Sequence, residues 1–67
     1  MSMNSSTNRS IHAHRIAQGV NRELSRALGE LEAAARLFPE CQSELRQLTY
    51  DIDRMQRRVT EITEGIR

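Results

Sequence analysis

The chain has 67 residues, a hydrophobic fraction of 37%, one Phe, one Tyr and no Trp. A chain this short with so few bulky side chains cannot bury a large core of its own, so we expect other chains to complete its burial. Ten basic and nine acidic residues leave a formal net charge of +1, which excludes the strongly basic surface expected of a nucleic-acid-binding domain.

Residues 1–10 are small and polar, without apolar periodicity. They predict a flexible tail, because nothing in them can offset the entropy lost on ordering. Asn8 or Ser10 is the candidate N-cap of the first helix. No run of about 18 apolar residues is present for a membrane span, and the tail lacks the apolar stretch of a signal peptide. We therefore expect a cytoplasmic protein without direct membrane insertion.

Large apolar residues stand at every seventh position from Leu24 to Ile66, and a second apolar column follows three residues behind the first. A seven-residue repeat of this length is typical of helices that pack one stripe against other helices. The sequence predicts an all-α chain that forms a coiled coil or helical bundle with other chains. The predicted partner-binding seam consists of Val20, Leu24, Leu28, Leu31, Ala34, Phe38, Cys41, Leu45, Leu48, Ile52, Met55, Val59, Ile62 and Ile66.

The seam differs between the two halves of the chain. Over residues 11–38 it is broad, with Ile16 and Leu37 on one flank and Leu28 and Ala35 on the other, which favours packing against two or more neighbouring helices. Over residues 39–67 it narrows to two apolar columns, as in a coiled coil. Polar residues occupy the remaining positions of that half, which indicates a solvated outer face.

Pro39 is compatible with two arrangements of these halves. In the first, a hairpin turns at Phe38 and Pro39, with Pro39 at the first position of the second helix and Glu40 near its N-terminal dipole. In the second, two nearly collinear helical segments, or one long helix, kink at Pro39. We favour the second, because the heptad phase continues across Pro39 and no Gly, Asn, Asp or Ser, the usual turn residues, lies near it.

No pattern in the sequence predicts catalysis, a cofactor or a metal site. His12 and His14 are two residues apart and point to different faces of a helix, so they cannot both bind one metal ion. Cys41 lies in the seam, which predicts a small buried side chain in a reducing compartment. We expect a protein that is not an enzyme. We expect its partners to be helical chains, in a hetero-oligomer or alternatively a homo-oligomer.

Part of the C-terminal half resembles a known family. The segment Cys41-Gln42-Ser43-Glu44-Leu45-Arg46-Gln47-Leu48, with Ile52, Met55-Gln56-Arg57-Arg58-Val59 and Ile62 after it, resembles the coiled coil of Brick, the smallest subunit of the WAVE actin-regulatory complex. The resemblance implies a long helix bundled with helices of WAVE and Abi-type subunits, a structural role without catalysis. Pro39 is atypical of that family, and an aromatic residue that the family carries after its Ile-His pair is missing.

Two alternatives remain open. Residues 48–59, Leu-Thr-Tyr-Asp-Ile-Asp-Arg-Met-Gln-Arg-Arg-Val, resemble the KxDL family of lysosome-positioning and organelle-biogenesis complexes, although Thr49 replaces its defining Lys. A leucine-zipper DNA-binding protein would also explain the heptads. Only Arg9, Arg15 and Arg22 precede the zipper, however, which is too few for the phosphate contacts that hold DNA.

Overall fold

The computed structural model describes the backbone of residues 2–66 and the side chains of residues 8–66. Helix α1 spans Ser2–Leu37, a short 3₁₀ turn spans Pro39–Cys41, and helix α2 spans Gln42–Glu64. Within the described backbone every regular element is helical, so the predicted all-α class is confirmed, as is the break in the helix at Pro39.

The two helices pack against each other as an antiparallel hairpin. The side chain of Gln56 on α2 donates hydrogen bonds to the backbone oxygen of Asn21 and to Ser25 Oγ on α1, at 3.0 and 2.8 Å. The longest dimension of the molecule is 58 Å, whereas collinear helices over the same residues would reach about 95 Å at 1.5 Å per residue. The preferred arrangement of nearly collinear segments is therefore wrong, and the hairpin alternative is the one that the chain adopts.

The turn explains why the usual turn residues are missing. Phe38 takes φ −124° and ψ 76°, a conformation outside the α region, as expected of a residue that precedes proline. Pro39 then begins the 3₁₀ turn and Glu40 follows in its first turn, where a carboxylate is favourable. No residue in the described backbone has a positive φ. The chain thus reverses without Gly or Asn. The absence of these turn residues near Pro39 is therefore not evidence for collinear helices.

Helix α1 begins earlier than the sequence suggested. Its backbone is helical from Ser2, ahead of the predicted start at Asn8 or Ser10. Residues 2–10 contain neither Gly nor Pro, the two residues with the least favourable helix propensity, so nothing in this segment interrupts the helix as it extends toward the N-terminus. Met1, Arg67 and the side chains of residues 2–7 lie outside the described residues, and the predicted flexibility of the tail stays a prediction.

The interior of the hairpin is thin. Among the described side chains, the apolar ones with less than a tenth of their surface exposed are Ala17, Ala35 and Ile52. Two of these are alanines, which bring the helices close together but bury little area each. A two-helix unit of this kind has little apolar burial to offset its conformational entropy, so covering more of its apolar surface would stabilise it substantially.

Candidate helix-docking face

One side of the hairpin is closed by polar side chains. Besides the two bonds donated by Gln56, the Asn21 side-chain amide donates to Thr60 Oγ1 at 3.4 Å. Because these bonds join residues far apart in sequence, they hold Asn21 level with Thr60 and Ser25 level with Gln56. This polar side therefore fixes the register of the two helices.

Two threonine hydroxyl groups of the hairpin also donate hydrogen bonds to the backbone of α2 itself. Thr60 Oγ1 donates to the Gln56 backbone oxygen at 3.1 Å, and Thr63 Oγ1 donates to the Val59 oxygen at 2.7 Å. Thr63 is buried, with 7% of its surface exposed, and a hydroxyl bonded to its own helix can be buried at little cost. These residues are suited to cover a helix pair rather than to bind a further chain.

The opposite side of the hairpin presents apolar side chains to solvent. Leu48, Met55 and Ile62 stand seven residues apart and form a row along α2. On α1, Ile16 and Val20 are one helical turn apart, and both line a shallow groove between the helices together with Ile62. We call these five residues the apolar face: Ile16, Val20, Leu48, Met55 and Ile62.

The exposure of the apolar face is large for side chains of this type. Val20 is 40% exposed, Leu48 and Met55 are each 47% exposed, and Ile62 and Ile16 reach 53% and 65%. Single exposed apolar residues are ordinary, but a contiguous row on one side of a small protein marks an interaction surface. All five side chains of the apolar face are apolar, so the face is suited to packing against another apolar surface.

Some residues of the predicted seam are buried or half-buried within the hairpin, and the others are exposed to solvent. Ile52 is buried, and seven further seam positions are half-buried. The half-buried seam residues are Leu24, Leu28, Leu31, Ala34, Leu45, Val59 and Ile66. The exposed ones are Val20, Phe38, Cys41, Leu48, Met55 and Ile62. The burial within one chain occurs because the two halves of the seam face each other across the hairpin.

Cys41 differs from its prediction. It is exposed, whereas its place in the heptad predicted a buried side chain. The physical reason is its position at the end of the turn, where α1 has ended and α2 has not begun, so no neighbouring helix covers it. Phe38, in the same turn, is 52% exposed.

The broad seam of α1 has one flank that is covered by α2 and one flank that is exposed to solvent. Its Leu28 and Ala35 flank is half-buried or buried, while Ile16 and Leu37 on the other flank are 65% and 73% exposed. Ile16 was noted as a flank but omitted from the predicted seam. The signal that would have included it is its spacing of four residues from Val20, which places both on one helical face.

Ion pairs border the apolar face on its outer edges. Arg54 lies 3.3 Å from Asp51 on α2, and Arg26 lies 3.6 Å from Glu30 on α1. Both pairs join residues of one helix and are largely exposed, so they contribute little to stability. They keep the rim of the apolar face charged, as is typical of protein interfaces.

Histidine, cysteine and acidic side chains are dispersed over the described residues. No cluster of three or more His, Cys, Asp or Glu side chains suited to metal binding is found among them. His12 and His14 are both exposed on the N-terminal part of α1. Nor does any helix in this part of the chain have the length and apolar character needed to cross a membrane.

Comparison with known proteins found no matching family model, no similar curated protein and no similar solved structure.

Proposed function

We propose that the chain is a non-enzymatic structural subunit that assembles with other helical chains through its apolar face, in the cytoplasm. The observation that carries the proposal is the row of Leu48, Met55 and Ile62, each about half exposed. By contrast, the buried apolar side chains among the described residues are two alanines and one isoleucine. Covering this row would supply the apolar burial that two helices alone lack.

The two-sided design of the hairpin supports an assembly role. The polar side joins the two helices through hydrogen bonds within the chain, although the buried Asn21 Oδ1 there has no hydrogen-bond partner among the described residues. The apolar face has no such closure. A chain built only to be a stable monomer would distribute polar residues on both sides, because an exposed apolar row invites association.

The resemblance to Brick favours a WAVE-type regulator of actin nucleation as the particular assembly. That family relies on one long helix, whereas this chain reverses at Pro39, so the resemblance applies to α2 alone. A subunit of a lysosome-positioning complex of the KxDL type is the alternative. A leucine-zipper protein is less well supported, since a zipper requires an uninterrupted helix across the seam.

The proposal is tested by substitution of Met55→Glu, with Tyr50→Glu as the matched control. Both residues lie on exposed positions of α2, at 47% and 66% exposure, but Tyr50 borders the opposite side of the hairpin. A tagged chain should lose its associated proteins with Met55→Glu, because a carboxylate cannot be buried there unpaired. It should keep them with Tyr50→Glu.

Circular dichroism of both variants serves as the folding control, and both should keep the helical signal of the native chain. Retention of the same associated proteins by folded Met55→Glu would contradict the proposal. Ile52→Asp is unsuitable for this experiment, because Ile52 is 7% exposed inside the hairpin and its substitution would unfold the chain itself.

A further inference from the structure

We infer that the partner on the apolar face is a second copy of this chain, giving a four-helix bundle in which both turns lie at the same end. The inference rests on the proposed function, since it names the occupant of the same face. Three properties of the hairpin support it: the shape of the face, the charges at its edges and the area that it offers.

The face has a ridge on one helix and a furrow on the other. The outward column of α2 carries the large side chains Leu48, Met55 and Ile62. The corresponding side of α1 carries the half-buried Ala27 and Ala34 nearer the turn, and the larger Val20 and Ile16 only toward its N-terminal part. Large side chains that pack opposite alanines allow helices to approach closely without voids. A surface with both features on one chain can be its own complement.

The register between α1 and α2 determines which two-fold rotation of a second copy gives complementary contacts. Val20 and Val59 line the same groove, and counting along both helices from there places Ala27 near the level of Met55 and Ala34 near that of Leu48. A two-fold axis parallel to the helices keeps these levels and lays α1 of one copy on α2 of the other. Each ridge then enters a furrow, and both contacts are equivalent, as a symmetric dimer requires.

The opposite rotation, about an axis perpendicular to the helices, is less favourable. It would lay α2 on α2, so that Leu48, Met55 and Ile62 meet the same large residues, and α1 on α1, so that alanine meets alanine. One pair of helices would be held apart while the other left a void, and poorly filled space costs stability.

Charges at the rim agree with the parallel axis. Glu23 on α1 and Arg58 on α2 border the apolar columns at the same level, so Glu23 of each copy would lie beside Arg58 of the other. Arg58 also pairs with Glu61 of its own chain, at 3.4 Å, so Glu23 would join an existing ion pair. Glu30 and Asp51 would also meet, but each already has an arginine of its own chain, at 3.6 and 3.3 Å. Those four side chains together carry no net charge.

The available area suits a stable dimer. Two helices of about 10 Å diameter over the 23 residues of α2 present a face of roughly 700 Å² per copy. Two copies would therefore bury roughly 1,400 Å² in total, within the range of about 1,200–2,000 Å² that is typical of specific protein interfaces.

The experiment uses the single cysteine of the purified chain as a probe. Cys41 is exposed in the turn, so a nitroxide can be attached without altering either helix. Sedimentation should give twice the mass of the chain, and electron–electron double resonance should give a short distance between labels, on the order of 15–25 Å for stacked turns. A monomer would overturn the inference, as would a distance near the 58 Å length of the hairpin.

A charge exchange provides a second, independent test. Glu23→Arg should weaken dimerisation a few-fold by placing two arginines together, and Glu23→Arg combined with Arg58→Glu should restore it. Glu23 and Arg58 lie on opposite edges of one hairpin, so the pair does not couple within a chain. An additive effect of the two substitutions would overturn the inference.

The two proposals can fail separately. A purified chain that is monomeric, while Met55→Glu still abolishes association with other proteins, would remove the homodimer and leave the assembly function. A Met55→Glu chain that keeps all associations would remove the assembly function itself.

Discussion

At the scale of single residues, neighbouring positions of α2 have very different surroundings. Ile52 is 7% exposed, Met55 three residues later is 47% exposed, and Tyr50 is 66% exposed. The three side chains point respectively to α1, to the apolar face and to the outer surface of the helix. Substitution of Ile52 therefore tests folding, substitution of Met55 tests association, and substitution of Tyr50 is expected to affect neither.

Gly29 gives a prediction about the stability of α1. A methyl group added at Gly29 would meet no heavy atom within 4 Å, and the residue lies in the interior of a 36-residue helix. Gly29→Ala should therefore raise the free energy of unfolding by about 0.5–1 kcal/mol, because alanine loses less backbone entropy in a helix. Thermal denaturation followed by circular dichroism measures this change.

Gly65→Ala is the matched control for that measurement. Gly65 follows the last residue of α2, and its added methyl group would lie 3.4 Å from the Ile62 oxygen. Its effect should be smaller than that of Gly29→Ala. A lower melting temperature for Gly29→Ala would show that α1 is not a regular helix at that position.

Ion pairs and burial could be predicted from the sequence where they depend on residue spacing along one helix. Spacings of three and four residues on one helix favour ion pairs. Those of Asp51 with Arg54 and of Asp53 with Arg57 form at 3.3 and 3.1 Å, whereas Glu32 and Arg36, also four residues apart, do not pair in the described structure. The burial of Ile52 likewise follows from the heptad. Cys41 was mispredicted because the heptad assumes a helix at that point, and the turn removes it.

At the scale of elements, the polar side of the hairpin holds α1 and α2 in register. Gln56 is central to it, because its amide bonds both to the Asn21 backbone oxygen and to the Ser25 hydroxyl. Gln56→Ala should lower the free energy of unfolding by about 1–2 kcal/mol, since it removes both hydrogen bonds between the helices. Urea denaturation measures the effect.

Gln47→Ala is the control for Gln56→Ala. Gln47 lies on the same helix, but its hydrogen bond goes to Asp51 of α2 itself, at 3.4 Å in an exposed position. Its removal should change stability little. Equal effects of the two substitutions would mean that Gln56 does not bridge the helices in solution.

The connection between the elements could not be predicted from the heptad alone. A hairpin whose helices face each other needs an apolar stripe on each helix, and so does one long helix in a coiled coil, so both give the same repeat. The unbroken phase across Pro39 therefore carries no information on the choice. The local evidence was Pro39 itself, which disfavours an α conformation at Phe38.

At the scale of the whole molecule, the hairpin has a closed polar side and an open apolar side. The sequence predicted that the chain needs helical partners, and the seam predicted most of the residues of the apolar face. Which seam residues remain free for a partner could not be predicted, because that depends on the reversal at Pro39. The reversal places most of one apolar column between the two helices and leaves most of the other column exposed.

In the proposed assembly, a partner covers the apolar face, while the polar side and the outer surface of the helices stay in solvent. Met55 and Tyr50 are natural probes of this difference, because both side chains react readily with hydroxyl radicals and thioether oxidation needs access to the sulfur. Radical footprinting of the assembled protein, normalised to the denatured chain, should show Met55 strongly protected and Tyr50 oxidised freely. Oxidation of Met55 at the rate of a solvent-exposed methionine would contradict the claim.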